Sequence, residues 1–125
     1  MKFHHVGLCC KDIKKHINYI EKIHKVIEKT DIVFDVLQNA YLCMITLEDG
    51  TKLELISGKV VENYIKKKIE YYHICYEVEN IEKETEQIIR NGAIRLSKIQ
   101  PAILFCNKRV VFLKTQYGLI ELLEK

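Results

Sequence analysis

The stretch HICYEVENI, residues 73–81, decides the reading of this chain, because HVGLCCKDI at residues 5–13 repeats its layout. In each, a histidine opens an apolar run of strand character. Seven positions after the histidine stands Asp12 or Asn80, and an isoleucine follows it. Asp and Asn are strong helix N-caps because their side-chain oxygens accept from the free backbone N–H groups of the first turn. A strand, a cap and a helix therefore occur twice. Isoleucines at 13, 17, 20 and 23 or 27 form one stripe at helical period, and Ile81, Thr85, Ile88 and Ile89 form the other. Arg90, Asn91 and Gly92 read as the second helix's end, with Gly92 left-handed.

Strands should follow each helix. In the first half one lies within 26–37, another at 41–47, and a last at 52–56 after the turn Glu48–Asp49–Gly50. In the second half strands are expected near 94–99 and 109–114, with the apolar run LIELLE, residues 119–124, closing the chain after a turn at 116–118. Each half is then β-α-β-β-β, and the whole is an α+β chain. The organisation is a single domain over 1–125: a first module at 1–57, a linker at 58–70 containing a short helix, and a second module at 71–125.

Alternation along strands assigns faces. Val6, Leu8, Leu53 and Leu55 should pack on the first helix, and Tyr72, Ile74, Tyr76, Val78, Ile120 and Leu122 on the second. His5, Gly7, Cys9 and Glu54 then point away from the helix, as do His73, Cys75, Glu77 and Glu121. The second face of an antiparallel sheet is often wet, and any one of these polar residues fits that description. A histidine and a glutamate in each half, at spacings that agree to within one residue, favour a ligand set instead. Two imidazoles and two carboxylates suit a divalent transition metal (Zn, Ni, Co or Mn) with exchangeable positions left open.

Composition narrows the remaining classes. The net charge is +3, and Lys66, Lys67 and Lys68 form the sole compact basic run, which reads as a solvated helix face. No stacking-aromatic motif accompanies the basic residues, so nucleic acid is not an expected partner. No apolar run reaches the ~20 residues of a membrane helix, and the start MKFHHVGL lacks a secretory pattern, so a cytoplasmic location without membrane attachment is expected. The five cysteines show no C-x-x-C pair. Cys9 and Cys75 read as small buried thiols, and His4, His16 and His24 as structural or surface residues.

With these residues in place, the sequence resembles the vicinal oxygen chelate superfamily of glyoxalase I, methylmalonyl-CoA epimerase and bleomycin-resistance proteins. FHHVGLCCKDI, TKLELIS, YYHICYEVENI and RVVFLKTQYGLIELLEK match its four ligand-bearing stretches in order, and the wording is nearest the epimerase-like branch. The resemblance implies a curved mixed sheet around a metal-binding cleft, with His5, Glu54, His73 and Glu121 as ligands. It implies proton transfer next to a carbonyl, foremost acyl-thioester epimerisation of the methylmalonyl-CoA kind. The alternatives are lactoylglutathione lyase-type isomerisation and small-molecule binding of the bleomycin-resistance kind. Related epimerases carry a glutamate on the third strand of the first half, where this chain has Leu42. The resemblance to glyoxalase implies that Glu54 or Glu121, a metal ligand, doubles as the base. No arginine stands at residues 8–10, where glyoxalases contact glutathione. QPAILFCNKR at 100–109 resembles a substrate-side loop, which implies substrate contacts from Asn107, Lys108 and Arg109. A homodimer is a further implication.

Overall fold

The computed structural model describes residues 1–125 and contains ten strands and three α-helices. In chain order they are β1 (Lys2–Cys9), α1 (Ile13–Ile23), β2 (Val26–Lys29), β3 (Val33–Asp35), β4 (Ala40–Leu47), β5 (Lys52–Ser57), α2 (Glu62–Lys66), β6 (Tyr71–Val78), α3 (Ile81–Arg90), β7 (Ile94–Arg95), β8 (Gln100–Ala102), β9 (Lys108–Thr115) and β10 (Gly118–Glu124). The α+β class and the duplicated strand–helix–strands layout are as the sequence implies. Two compact units result: His5–Tyr72, and His73–Lys125 together with Met1–His4.

In the His5–Tyr72 unit the strands run in the order β2-β4-β5-β1. β1 is parallel to β5, with Val6 opposite Leu53 and Leu8 opposite Leu55, and β5 is antiparallel to β4. β2 and β3 both pair with β4, so together they make one broken outer strand. The other unit repeats the plan as β6-β10-β9-β7, with β10 parallel to β6 and antiparallel to β9. β7 and β8 share the outer side of β9. Each sheet is thus mixed, and each second strand is broken in two.

The sequence reading departs from the structure in that outer strand. The strand expected across 94–99 is confined to Ile94–Arg95, and 100–102, read as the start of a loop, is strand β8. Pro101 lacks an N–H, which is tolerated at such an edge.

The caps form as the residue types dictate. Asp12 accepts from the Lys15 N–H at 3.2 Å, and Asn80 from the Lys83 N–H at 3.0 Å. α1 buries Ile13 and Ile20 and packs Ile17 on Cys10, Cys43, Ile45 and Leu55. Its stripe ends there. Ile23 and Ile27 are exposed, because α1 stops at Ile23 and the chain turns into β2. α3 packs Ile81, Ile88 and Ile89 on Val78, Val111, Leu113, Ile120 and Leu122. Gly92 ends it at φ +101°, a conformation glycine adopts without a Cβ clash. Residues 59–66, between the halves, form a 3-10 turn and α2. Lys66, Lys67 and Lys68 are exposed, and no helix is long and apolar enough to cross a membrane.

One cross-strand network ties the second unit. The Arg109 guanidinium donates to both oxygens of Glu124 on β10, at 2.7 and 2.8 Å, and to the Glu82 carboxylate on α3. These bonds hold the Glu82 and Glu124 carboxyls below the usual carboxylate range. A carboxyl depressed in the folded state contributes stability above its unfolded value and loses it as pH falls through the folded one. The stability lost on acidification below the ordinary glutamate value of about 4.3 should therefore be smaller in Arg109→Met than in the parent. Urea midpoints at pH 7 and pH 3 measure that difference.

Candidate metal centre

Each unit brings one histidine and one glutamate together on the sheet face turned away from its helix. In the first, Gly7 on β1 is the register partner of Glu54 on β5, and His5 stands two residues before Gly7. Alternation puts His5 and Glu54 on one face, and Gly7 places no side chain between them. His5 Nε2 lies 3.4 Å from Glu54 Oε1. In the second, Cys75 on β6 is the register partner of Glu121 on β10, and His73 stands two residues before Cys75. His73 Nε2 lies 3.4 Å from Glu121 Oε1. The two pairs have the same strand offset and the same separation.

All four side chains are buried: His5 is 0%, Glu54 2%, His73 4% and Glu121 1% exposed. The second face is therefore not a wet one at these positions; alternation gives the direction of a side chain but not what covers it. A buried carboxylate is costly unless a cation or hydrogen-bond donors compensate it. Two ligand atoms each about 2.1 Å from a tetrahedral metal ion are about 3.4 Å apart. Each pair therefore has the separation of two ligands sharing one ion, and imidazole plus carboxylate is a donor set for Zn, Ni, Co or Mn.

The neighbours on the same face differ between halves. Met44 on β4 lies opposite Glu54, and Phe112 on β9 lies opposite Glu121. The Phe112 ring meets His73 edge-on, with centroids 5.4 Å apart and planes at 84°, which limits how the imidazole turns. Neither contact was read from the sequence, although the alternation of β9 against Glu121 would have supplied Phe112. On β4 this face offers Leu42, Met44 and Thr46, so no acid stands on that strand. Leu42 is fully buried opposite Ile56.

The other named residues have the following surroundings. Asn107 and Lys108 are exposed beside the left-handed residues at 106–107. Arg109 is engaged by Glu82 and Glu124. His4 packs its ring on Phe105 at 5.8 Å, and His16 Nδ1 lies 3.2 Å from the Asp12 carbonyl. Cys75 packs with Ala102, Val110 and Leu123, away from the α3 core.

The thiols are inert by burial. Desolvation, with a smaller contribution from the Glu70 charge, pushes Cys9 up to about 11, and burial pushes Cys10 up to about 12. Cys43 is raised by the same cause, and Cys75 is fully buried. Since the thiolate is the reactive form, an aromatic disulfide reagent at pH 8 should label one thiol quickly, Cys106, the single exposed cysteine. The other four should react only in denaturant. Fast labelling of Cys9 or Cys75 would contradict the packing.

No curated protein matches the chain in sequence. Among solved structures, methylmalonyl-CoA epimerase from Mycobacterium tuberculosis superposes with a TM-score of 0.83 at 15% identity, over 98% of this chain and 87% of the other. A hypothetical protein from Bacillus halodurans C-125 gives 0.74 at 23% identity, over 99% and 94%. A variant methylmalonyl-CoA epimerase of Streptomyces coelicolor, in complex with 2-nitronate-propionyl-CoA, gives 0.75 at 17% identity, over 100% and 97%. At these identities the likeness is one of fold. The family model of the Glyoxalase/Bleomycin resistance protein/Dioxygenase superfamily matches residues 4–112, nearly the whole chain, and the chain belongs to that superfamily.

Proposed function

We propose that the His5–Glu54 and His73–Glu121 pairs are two halves of one four-ligand site for a divalent metal ion, and that the protein is an enzyme of proton transfer next to a carbonyl. The observation that carries this reading is the duplication itself: a buried histidine facing a buried glutamate at 3.4 Å, twice, at the same strand offset. A bound divalent cation supplies Lewis-acid polarisation of a carbonyl oxygen, worth several kcal/mol to the transition state. His5 and His73 would hold it through their ring nitrogens. One glutamate would take the proton from the adjacent carbon; in an epimerisation a second acid, the other glutamate or water, would deliver a proton to the opposite face, and in an isomerisation the same glutamate would return it to the neighbouring carbon.

The substrate class we favour is an acyl-thioester. The structural neighbours crystallised with methylmalonyl-CoA or 2-nitronate-propionyl-CoA support that choice, as does the epimerase-like wording of the strands. A lyase-type isomerisation is the second reading. It is favoured by one observation: β4 presents Leu42, Met44 and Thr46 on the site face and supplies no acid, which leaves a metal ligand, Glu54 or Glu121, as the base we propose, as glyoxalase I-like chemistry implies.

The test is isotope exchange. Zinc-, nickel-, cobalt- or manganese-loaded protein is incubated in deuterated water with methylmalonyl-CoA, or separately with the hemithioacetal of methylglyoxal and glutathione. Deuterium entering the α-carbon of the thioester supports epimerisation, and lactoylglutathione formation supports the lyase. Stoichiometric ligand binding with neither reaction would overturn the enzyme reading in favour of a binding protein.

A further inference from the structure

Beyond the metal ligands, the face that carries Glu54 holds one lysine. Lys52 and Glu54 alternate with Leu53 and Leu55, which pack on the α1 core, so both point to the opposite side of β5. Their Cα atoms are about 7 Å apart along the strand. Thr46 is the register partner of Lys52 on β4, and Lys52 Nζ donates to Thr46 Oγ1 at 3.3 Å.

The company Lys52 keeps differs from that of the other fixed cations. Lys29 pairs with Glu21, Lys125 with Glu79, and Arg109 with Glu82 and Glu124. Lys52 is half-buried, and its side-chain partner is a neutral hydroxyl that is itself buried. An ammonium has three donors, and the hydroxyl uses one. Partial burial raises the cost of leaving the other two without a strong acceptor. The second half places a lysine on the same rung: Lys114 is the register partner of Leu119, two residues before Glu121. Lys114 is exposed, so its charge is screened by water, whereas Lys52 is half-buried and bonded to Thr46.

We infer that Lys52 is a specificity-determining residue that binds an anionic oxygen group of the substrate, a carboxylate or a phosphate, about one strand dipeptide from the ligand carboxylate of Glu54. Its role rests on the proton-transfer reading above and names the substrate's charge: the enzyme selects an acid over the neutral analogue. Thr46 fixes the ammonium's position.

Calorimetric titration of the zinc-loaded protein with three ligands tests this. Methylmalonyl-CoA carries both anions, propionyl-CoA lacks only the carboxylate, and methylmalonyl-pantetheine lacks the nucleotide phosphates. Lys52→Met should weaken methylmalonyl-CoA by roughly 10- to 100-fold, the range for a hydrogen bond to a charged group, and Lys52→Arg should recover most of that loss. If the carboxylate is the partner, Lys52→Met leaves propionyl-CoA unchanged and weakens methylmalonyl-pantetheine equally. If a phosphate is the partner, propionyl-CoA weakens and methylmalonyl-pantetheine does not. Equal affinities of Lys52→Met and the parent for all three ligands would overturn the role of Lys52 alone. A zinc-loaded parent that binds none of them overturns the acyl-thioester reading and this inference with it.

Discussion

His73→Ala is expected to hold less than a tenth of the parent's metal after dialysis and to lose deuterium exchange by about 10³-fold or more. The rate follows from the chemistry: Lewis-acid polarisation worth several kcal/mol is a factor of ten for each 1.4 kcal/mol removed. His73 is buried, so the substitution also opens a small cavity, and fold loss has to be separated from site loss. A ligand that binds only the folded chain raises the melting temperature by mass action. A chelator should therefore lower the Tm of the metal-loaded parent and leave that of His73→Ala unchanged. A variant that keeps stoichiometric metal, or a parent whose Tm ignores the chelator, would remove the basis of the four-ligand site. His16→Ala is the control, since His16 sits at the surface of α1 near its cap.

The face that carries the candidate site residues was legible because it depends on rules with short reach. Side-chain alternation needs only the strand and one fixed point, and the apolar residues Leu53, Leu55, Ile120 and Leu122 supplied it, which left Glu54 and Glu121 on the other face. The caps at Asp12 and Asn80 needed only residue type and spacing. What escaped the sequence depends on partners far along the chain. The break of the outer strand into β7 and β8 is decided by how long β9 is and where its edge accepts pairing. Two residues of strand at Ile94–Arg95 carry no periodic signal, and the three residues of β8 lie in a stretch that resembles a loop. The burial of the site face was invisible for the same reason. So was the employment of Arg109, whose acceptors Glu82 and Glu124 lie 27 and 15 positions away. Lys52 fell between these cases: its alternation with Glu54 was readable, but its neutral partner Thr46 was supplied by the β4–β5 register.

The two glutamates are equivalent in spacing but not in surroundings, and this separates their roles. Glu54 lies one strand repeat from the half-buried Lys52, whose ammonium donates to Thr46. Glu121 faces the Phe112 ring across the ladder and shares its side of the sheet with Cys75 and Leu123. We place the proton acceptor at Glu121, whose neighbours on that side are the apolar side chains of Phe112 and Leu123. Glutamine keeps the side-chain shape and one oxygen donor while removing the proton acceptor. Glu121→Gln should therefore retain most of its metal and lose exchange by about 10²- to 10⁴-fold, the range of a general base. Glu54→Gln should lose metal affinity in the first place, and its exchange rate at saturating metal should fall less. Metal titration and single-turnover deuterium exchange, run on both variants, distinguish the assignments. The reverse pattern would transfer the base to Glu54, and equal losses at saturating metal would mean that the two carboxylates act as one unit.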